Sequence, residues 1–149
     1  MTFNSQICTT REQGERLLAL GLKKETADMV WTHAYYSTWA ATAKENPLYF
    51  HEADEDTIPA WSLHRLIEMM RMTLAEDRVY HEYWDLNVTP IAVIYRNQDE
   101  PSEWIGECMG QGMYNNIIDC IEWLIKEGYF NKKYLVDQDA IDEHCKGVL

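Results

Sequence analysis

Apolar positions change period along the chain, and the changes mark the elements. Leu63, Leu66, Ile67, Met70 and Leu74 recur three and four residues apart, with His64, Glu68 and Arg71 on a polar flank. That spacing predicts a core-facing helix capped by Ser62. The period then shortens to two: Trp84, Leu86 and Val88 alternate with Tyr83, Asp85 and Asn87. After Thr89-Pro90 the run Ile91-Ala92-Val93-Ile94-Tyr95 is rich in β-branched residues. Asn97 to Pro101 reads as a turn and Trp104 to Cys108 as a third strand. Three short strands with tight connections predict an antiparallel meander over Tyr80 to Cys108. Beyond Gly110 and Gly112 comes the strongest helical stripe, with Met113, Tyr114, Ile117, Ile121, Leu124 and Ile125 on one face. Asn115, Asp119, Glu122 and Lys126 lie opposite, and Gly128 closes a helix over 113–127. Its apolar face needs cover, and the preceding sheet is the nearest candidate.

The N-terminal third is harder to read. Thr9 followed by Glu12 has the spacing of a capping box, Leu17, Leu18 and Leu20 supply an apolar side, and Gly21 supplies a stop. A second short helix is expected after Lys24, carrying Ala27, Met29 and Val30. Trp31, His33, Tyr35, Tyr36 and Trp39 then crowd into a stretch whose period fits neither helix nor strand, read as irregular or a short strand. Asn46 to Thr57 reads as an acidic loop. The polar chain from about residue 131 reads as a mobile tail, with a short helix near Asp139 to Cys145.

These elements make an α+β protein: N-terminal helices, a small three-stranded antiparallel sheet, and an amphipathic C-terminal helix packed on the sheet. A chain of 149 residues, 46% hydrophobic, suits one globular domain with its own core. No run of 18 apolar residues occurs, and Met1 to Gln6 has no basic or apolar signal region, so a cytoplasmic setting is expected. Cys8, Cys108, Cys120 and Cys145 are scattered with no CxxC pair, as expected of reduced thiols.

Charge sharpens this picture. Of the formal −12, the stretch Asn46 to Ala60 carries −4 through Glu52, Asp54, Glu55 and Asp56. Tyr80 to Met109 carries −5, six acids against Arg96 alone, so the two stretches together supply −9. Such a field repels a phosphate backbone, which disfavours direct nucleic-acid binding and admits a basic protein partner.

Motifs for chemistry are few. The five histidines show no i, i+4 pair and no HExxH, so no metal site is expected. The carboxylates of 51–56 fail the calcium-loop pattern, because the sixth position from Asp54 is Pro59. Gly106, Gly110 and Gly112 form no phosphate loop, and no nucleophile motif occurs. No catalytic residue and no cofactor are expected. The Trp31 to Trp39 aromatics (Trp31, Tyr35, Tyr36, Trp39) can fill a core, line a ligand pocket or seat a protein partner.

Three blocks carry a resemblance: Thr9 to Leu22 with Thr26-Ala27-Asp28-Met29, then Ile58-Pro59-Ala60-Trp61-Ser62-Leu63, and Ile121 to Tyr129. In these blocks the chain resembles a family of short uncharacterised bacterial proteins associated with prophages and other mobile elements of gut anaerobes. The resemblance implies a cytoplasmic setting and a mobile-element origin, and brings no activity or catalytic residue with it.

The expected function is a non-enzymatic acidic interaction or accessory protein. Its candidate binding residues are Trp31, Tyr35, Tyr36, Trp39, Glu52, Asp54, Glu55 and Asp56. The alternatives are a small-molecule binding module built on the aromatic stretch, and a small enzyme assembled from scattered groups such as His64, Glu68 and His81.

Overall fold

The computed structural model describes residues 6–34, 38–43, 57–76 and 82–136. In chain order the elements are α1 (Arg11–Ala19), β1 (Met29–Ala34), β2 (Thr38–Ala43), β3 (Ile58–Ala60), α2 (Leu63–Met69), β4 (Thr73–Glu76), β5 (Glu82–Val88), β6 (Ala92–Asn97), β7 (Trp104–Met109) and α3 (Met113–Lys126). The fold is α+β, with two antiparallel sheets in place of one. β2-β1-β3 form a three-stranded sheet, and β4-β5-β6-β7 a four-stranded one.

α1 forms as its leucines suggest, but Thr10 is the cap. The Thr10 hydroxyl accepts from the Gln13 N–H at 3.1 Å, and the Gln13 side chain accepts from the Thr10 N–H at 2.9 Å. Thr9, expected in that role, is fully buried. Its N–H donates to the Trp61 carbonyl at 2.9 Å, and its hydroxyl accepts from the Trp61 N–H at 3.1 Å. The Trp61 indole in turn donates to Thr26 Oγ1 at 3.0 Å. Both threonines fit a cap; the demand for Trp61 to have partners in the interior assigns them.

The helix expected to carry Ala27, Met29 and Val30 does not form. A single 3₁₀ turn, Lys24–Thr26, precedes β1, which pairs with β2 from Met29↔Ala43 to Ala34↔Thr38 and with β3 from Met29↔Ala60 to Trp31↔Ile58. Of the stretch read as irregular or a short strand, Trp31 to Ala34 belong to β1 and Trp39 to β2, so the strand alternative holds on both sides of residues 35–37, which lie outside the described residues. Gly14 sits where α1 crosses β3; a Cβ there would lie 2.5 Å from the Pro59 carbonyl oxygen.

Ser62 caps α2, its hydroxyl accepting from the Arg65 N–H at 3.2 Å and donating to Asp28 Oδ2 at 2.5 Å. α2 ends earlier than the spacing predicts. Met70 is extended at ψ 143°, and Leu74 belongs to β4 opposite Trp84. Leu74 is buried in either conformation, so apolar spacing cannot separate them. β4 makes the expected three-stranded sheet four-stranded.

α3 packs on β6 and β7 from one side. Ile117, Ile118, Cys120, Ile121 and Leu124 have no exposure and join Leu17, Trp61, Leu66, Leu74, Val93 and Tyr95 in one core. Each fully buried aliphatic contributes about 1.5–3 kcal/mol relative to exposure. The polar flank of α3 is clasped by α1. Gln13 donates to Asn115 at 2.9 Å, and Arg16 pairs with Asp119 at 2.6 Å and Glu122 at 3.0 Å. Residues 131–136 return to the body: Leu135 bridges to Leu22, Tyr134 accepts from the Lys23 N–H, and the Val136 N–H donates to Gly21. The segment 139–145 lies outside the described residues.

Candidate interaction surface

Strand alternation divides the four-stranded sheet into a covered and an open face. Trp84, Val93 and Tyr95 are buried toward α3, with Leu86, Val88, Ile105 and Cys108 packed beside them. The opposite set includes Thr73, Asp85, Arg96 and Trp104, which stand in register as one row across four strands. Along that row Thr73 and Gln98 donate to Asp85 Oδ1 at 2.9 and 2.8 Å. The Arg96 guanidinium donates to the Pro101 carbonyl and lies 5.5 Å from the centre of the Trp104 ring. The Trp104 indole donates to Glu107 Oε2 at 2.7 Å.

These contacts hold the Trp104 side chain in a polar frame while leaving it exposed. Trp104 is 45% exposed, Tyr83 42% and Met109 54%, and Ile91 beyond the β5–β6 turn is 71% exposed. Ile94, on the same face, is buried outside the main core. Asp85 and Glu107 are exposed on this face, Glu82 is exposed at the start of β5, and Asp99, Glu100 and Glu103 are exposed in the β6–β7 connection. Arg96 is the one base between residues 82 and 109, and its guanidinium is already engaged. The surface therefore combines aromatic anchors with a negative rim, a composition suited to a protein partner.

Few residues singled out in the sequence come together here. Trp31 is half-buried on β1, and its indole donates to the Thr9 carbonyl at 2.9 Å. Trp39 lies on β2 in register with His33. Tyr35, Tyr36, Glu52, Asp54, Glu55 and Asp56 lie outside the described residues. His64 Nε2 stands 3.2 Å from Glu68 Oε1 on an exposed turn of α2, and His81 is outside the described residues. Among the described residues no three His, Cys, Asp or Glu side chains gather as a metal site, and no helix is long and apolar enough to cross a membrane. Trp104, Met109 and Tyr83 were not singled out in the sequence. Alternation shows that a strand has two faces, but not which one a helix will cover.

No protein-family model, curated protein or solved structure matches the chain.

Proposed function

We propose that this protein is a non-enzymatic interaction or accessory protein whose docking surface is the open face of the four-stranded sheet. Its partner presents a basic surface with room for aromatic side chains. The observation that carries this reading is the exposure of Trp104, Tyr83 and Met109 on one sheet face, with Asp85 and Glu107 exposed beside them and four more exposed acids at the start of β5 and in the β6–β7 connection. Large aromatics on a rigid strand bind at little entropic cost, and the acids favour a cationic partner over nucleic acid. Glu52, Asp54, Glu55 and Asp56 remain candidate binding residues in this reading. A cytoplasmic setting and a mobile-element origin, both implied by the sequence resemblance, belong to the proposal as well.

The test compares wild type with a Trp104→Ser/Met109→Ser variant that melts as wild type does. Each is used to capture partners from a host lysate, and each captured protein is then purified and rebound. A basic protein held by wild type and at least ten-fold weaker on the variant supports the reading. Equal retention of every captured protein overturns it.

A further inference from the structure

Two thiols meet on the covered side of the four-stranded sheet. Cys108 on β7 is in register with the fully buried Val93 of β6, which turns its side chain toward α3. Cys120 on α3 has no solvent exposure and lies one turn before Trp123, whose ring rests on Gly106 of β7, which brings it beside Cys108. The Cys108 thiol donates to the Gly106 carbonyl oxygen at 3.5 Å. Neither sulfur is in a disulfide.

Access and charge divide the pair. Cys108 is half-buried near the end of its strand, whereas Cys120 is enclosed. The hydrogen bond from Cys120 holds the Cys108 thiol below its ordinary value, and Arg16 acts the same way, against burial, Asp119 and Glu107. Contact with Cys108 and burial push the Cys120 thiol up. Cys8, buried near Asp28, is pushed up to about 11. The more accessible sulfur is therefore the one an oxidant meets first, with a second thiol already beside it.

We propose that Cys108 and Cys120 form a peroxide-reactive dithiol in which Cys108 attacks and Cys120 resolves. The Cys108 thiolate attacks one oxygen of a hydroperoxide; an S–O bond forms, the O–O bond breaks, and the departing oxygen takes a proton and leaves as an alcohol or water. Cys108 is then a sulfenic acid. The Cys120 sulfur attacks the Cys108 sulfur; the S–S bond forms, the S–O bond breaks, and water leaves with the Cys120 proton. Two thiols lose two electrons and the peroxide gains them. An external thiol reverses the step. The resulting bond staples β7 to α3 directly behind Glu107 and Met109 of the open face, which couples redox state to that surface.

The test treats the reduced full chain with a small molar excess of hydrogen peroxide, alkylates free thiols, and digests with chymotrypsin, which can cut at Tyr114 between the two cysteines. The expected result is a loss of two thiols, a peptide joining Cys108 to Cys120, and an alkylated Cys8. In Cys120→Ala the oxidation stops at Cys108 as a sulfenic acid trapped by dimedone, and in Cys108→Ser the Cys120 thiol survives. The wild-type map decides the matter even where a variant fails to fold. Both cysteines remaining alkylated while glutathione in the same tube is oxidised overturns the proposal, as does oxidation of Cys120 in Cys108→Ser.

Discussion

The indole of Trp123 lies against the backbone of Gly106, so closely that a Cβ there would stand 2.8 Å from ring atoms Cε3 and Cζ3. Gly106 has φ 66° and sits where the β6–β7 register slips between Val93 and Tyr95. The same ring packs at 6.1 Å from Tyr95 and 5.8 Å from Tyr129. A bulge with a bare Cα thus seats the helix on the sheet. Gly106→Ala adds a left-handed alanine, about 1–2 kcal/mol, and an overpacked contact, about 1–3 kcal/mol. A loss of roughly 2–5 kcal/mol in urea unfolding is expected from these two terms. An unchanged midpoint would show that the ring can swing aside.

Ile121 has no exposure and sits at the centre of the α3 face. Ile121→Asp would bury an unpaired carboxylate among aliphatic groups, at a cost of at least several kcal/mol. The expected result is loss of a cooperative thermal transition. A melting curve near that of wild type would mean that the helix does not face the core.

The α3 stripe was legible because its apolar set follows one period for fourteen residues and the turn glycines bound it. The β1–β2 hairpin was not. The spacing of Trp31, His33 and Trp39 fits neither period clearly, and the pairing of β1 with both β2 and β3 is what decides it. The end of α2 was hidden for another reason: Leu74 meets the helical spacing and also pairs opposite Trp84. Charge placement survived well, since the acids around β5 to β7 are exposed as their composition suggests. The open aromatic surface was not visible, because which face of β7 α3 covers is a tertiary fact.

Arg16 joins α1 to α3 through Asp119 and Glu122, all about one-third exposed. The hydrogen bond from Arg16 holds the Glu122 carboxyl below its ordinary value, with Lys126 adding to the effect. A depressed carboxyl pKa stabilises the fold above the unfolded value near 4.3, and that gain disappears as pH falls through the folded value. Arg16→Met should therefore cost at most about 1 kcal/mol near pH 7, given the solvent screening. Denaturation measured from pH 7 down to about 3 should show the two proteins converging as Glu122 protonates. A difference that stays constant over that range would assign the loss to packing of the Arg16 stem.

The acidic rim makes a kinetic prediction for the docking surface. Charges outside a binding centre mainly speed encounter, and salt screens them over about 8 Å at physiological ionic strength. Glu82 at the start of β5 and Asp99, Glu100 and Glu103 in the β6–β7 connection are exposed outside the central row of the Trp104 face. Neutralising them together, as Glu82→Gln, Asp99→Asn, Glu100→Gln and Glu103→Gln, should slow association with the basic partner about ten-fold at low salt. Dissociation should change little, since the aromatic anchors remain. A second variant neutralising Glu52, Asp54, Glu55 and Asp56 measures what that stretch adds. For wild type the association rate should fall steeply as salt rises, and for the sheet variant the dependence should flatten. Rates unaffected by both salt and charge removal would leave the acids as solvated surface and rest any binding on Trp104, Tyr83 and Met109 alone.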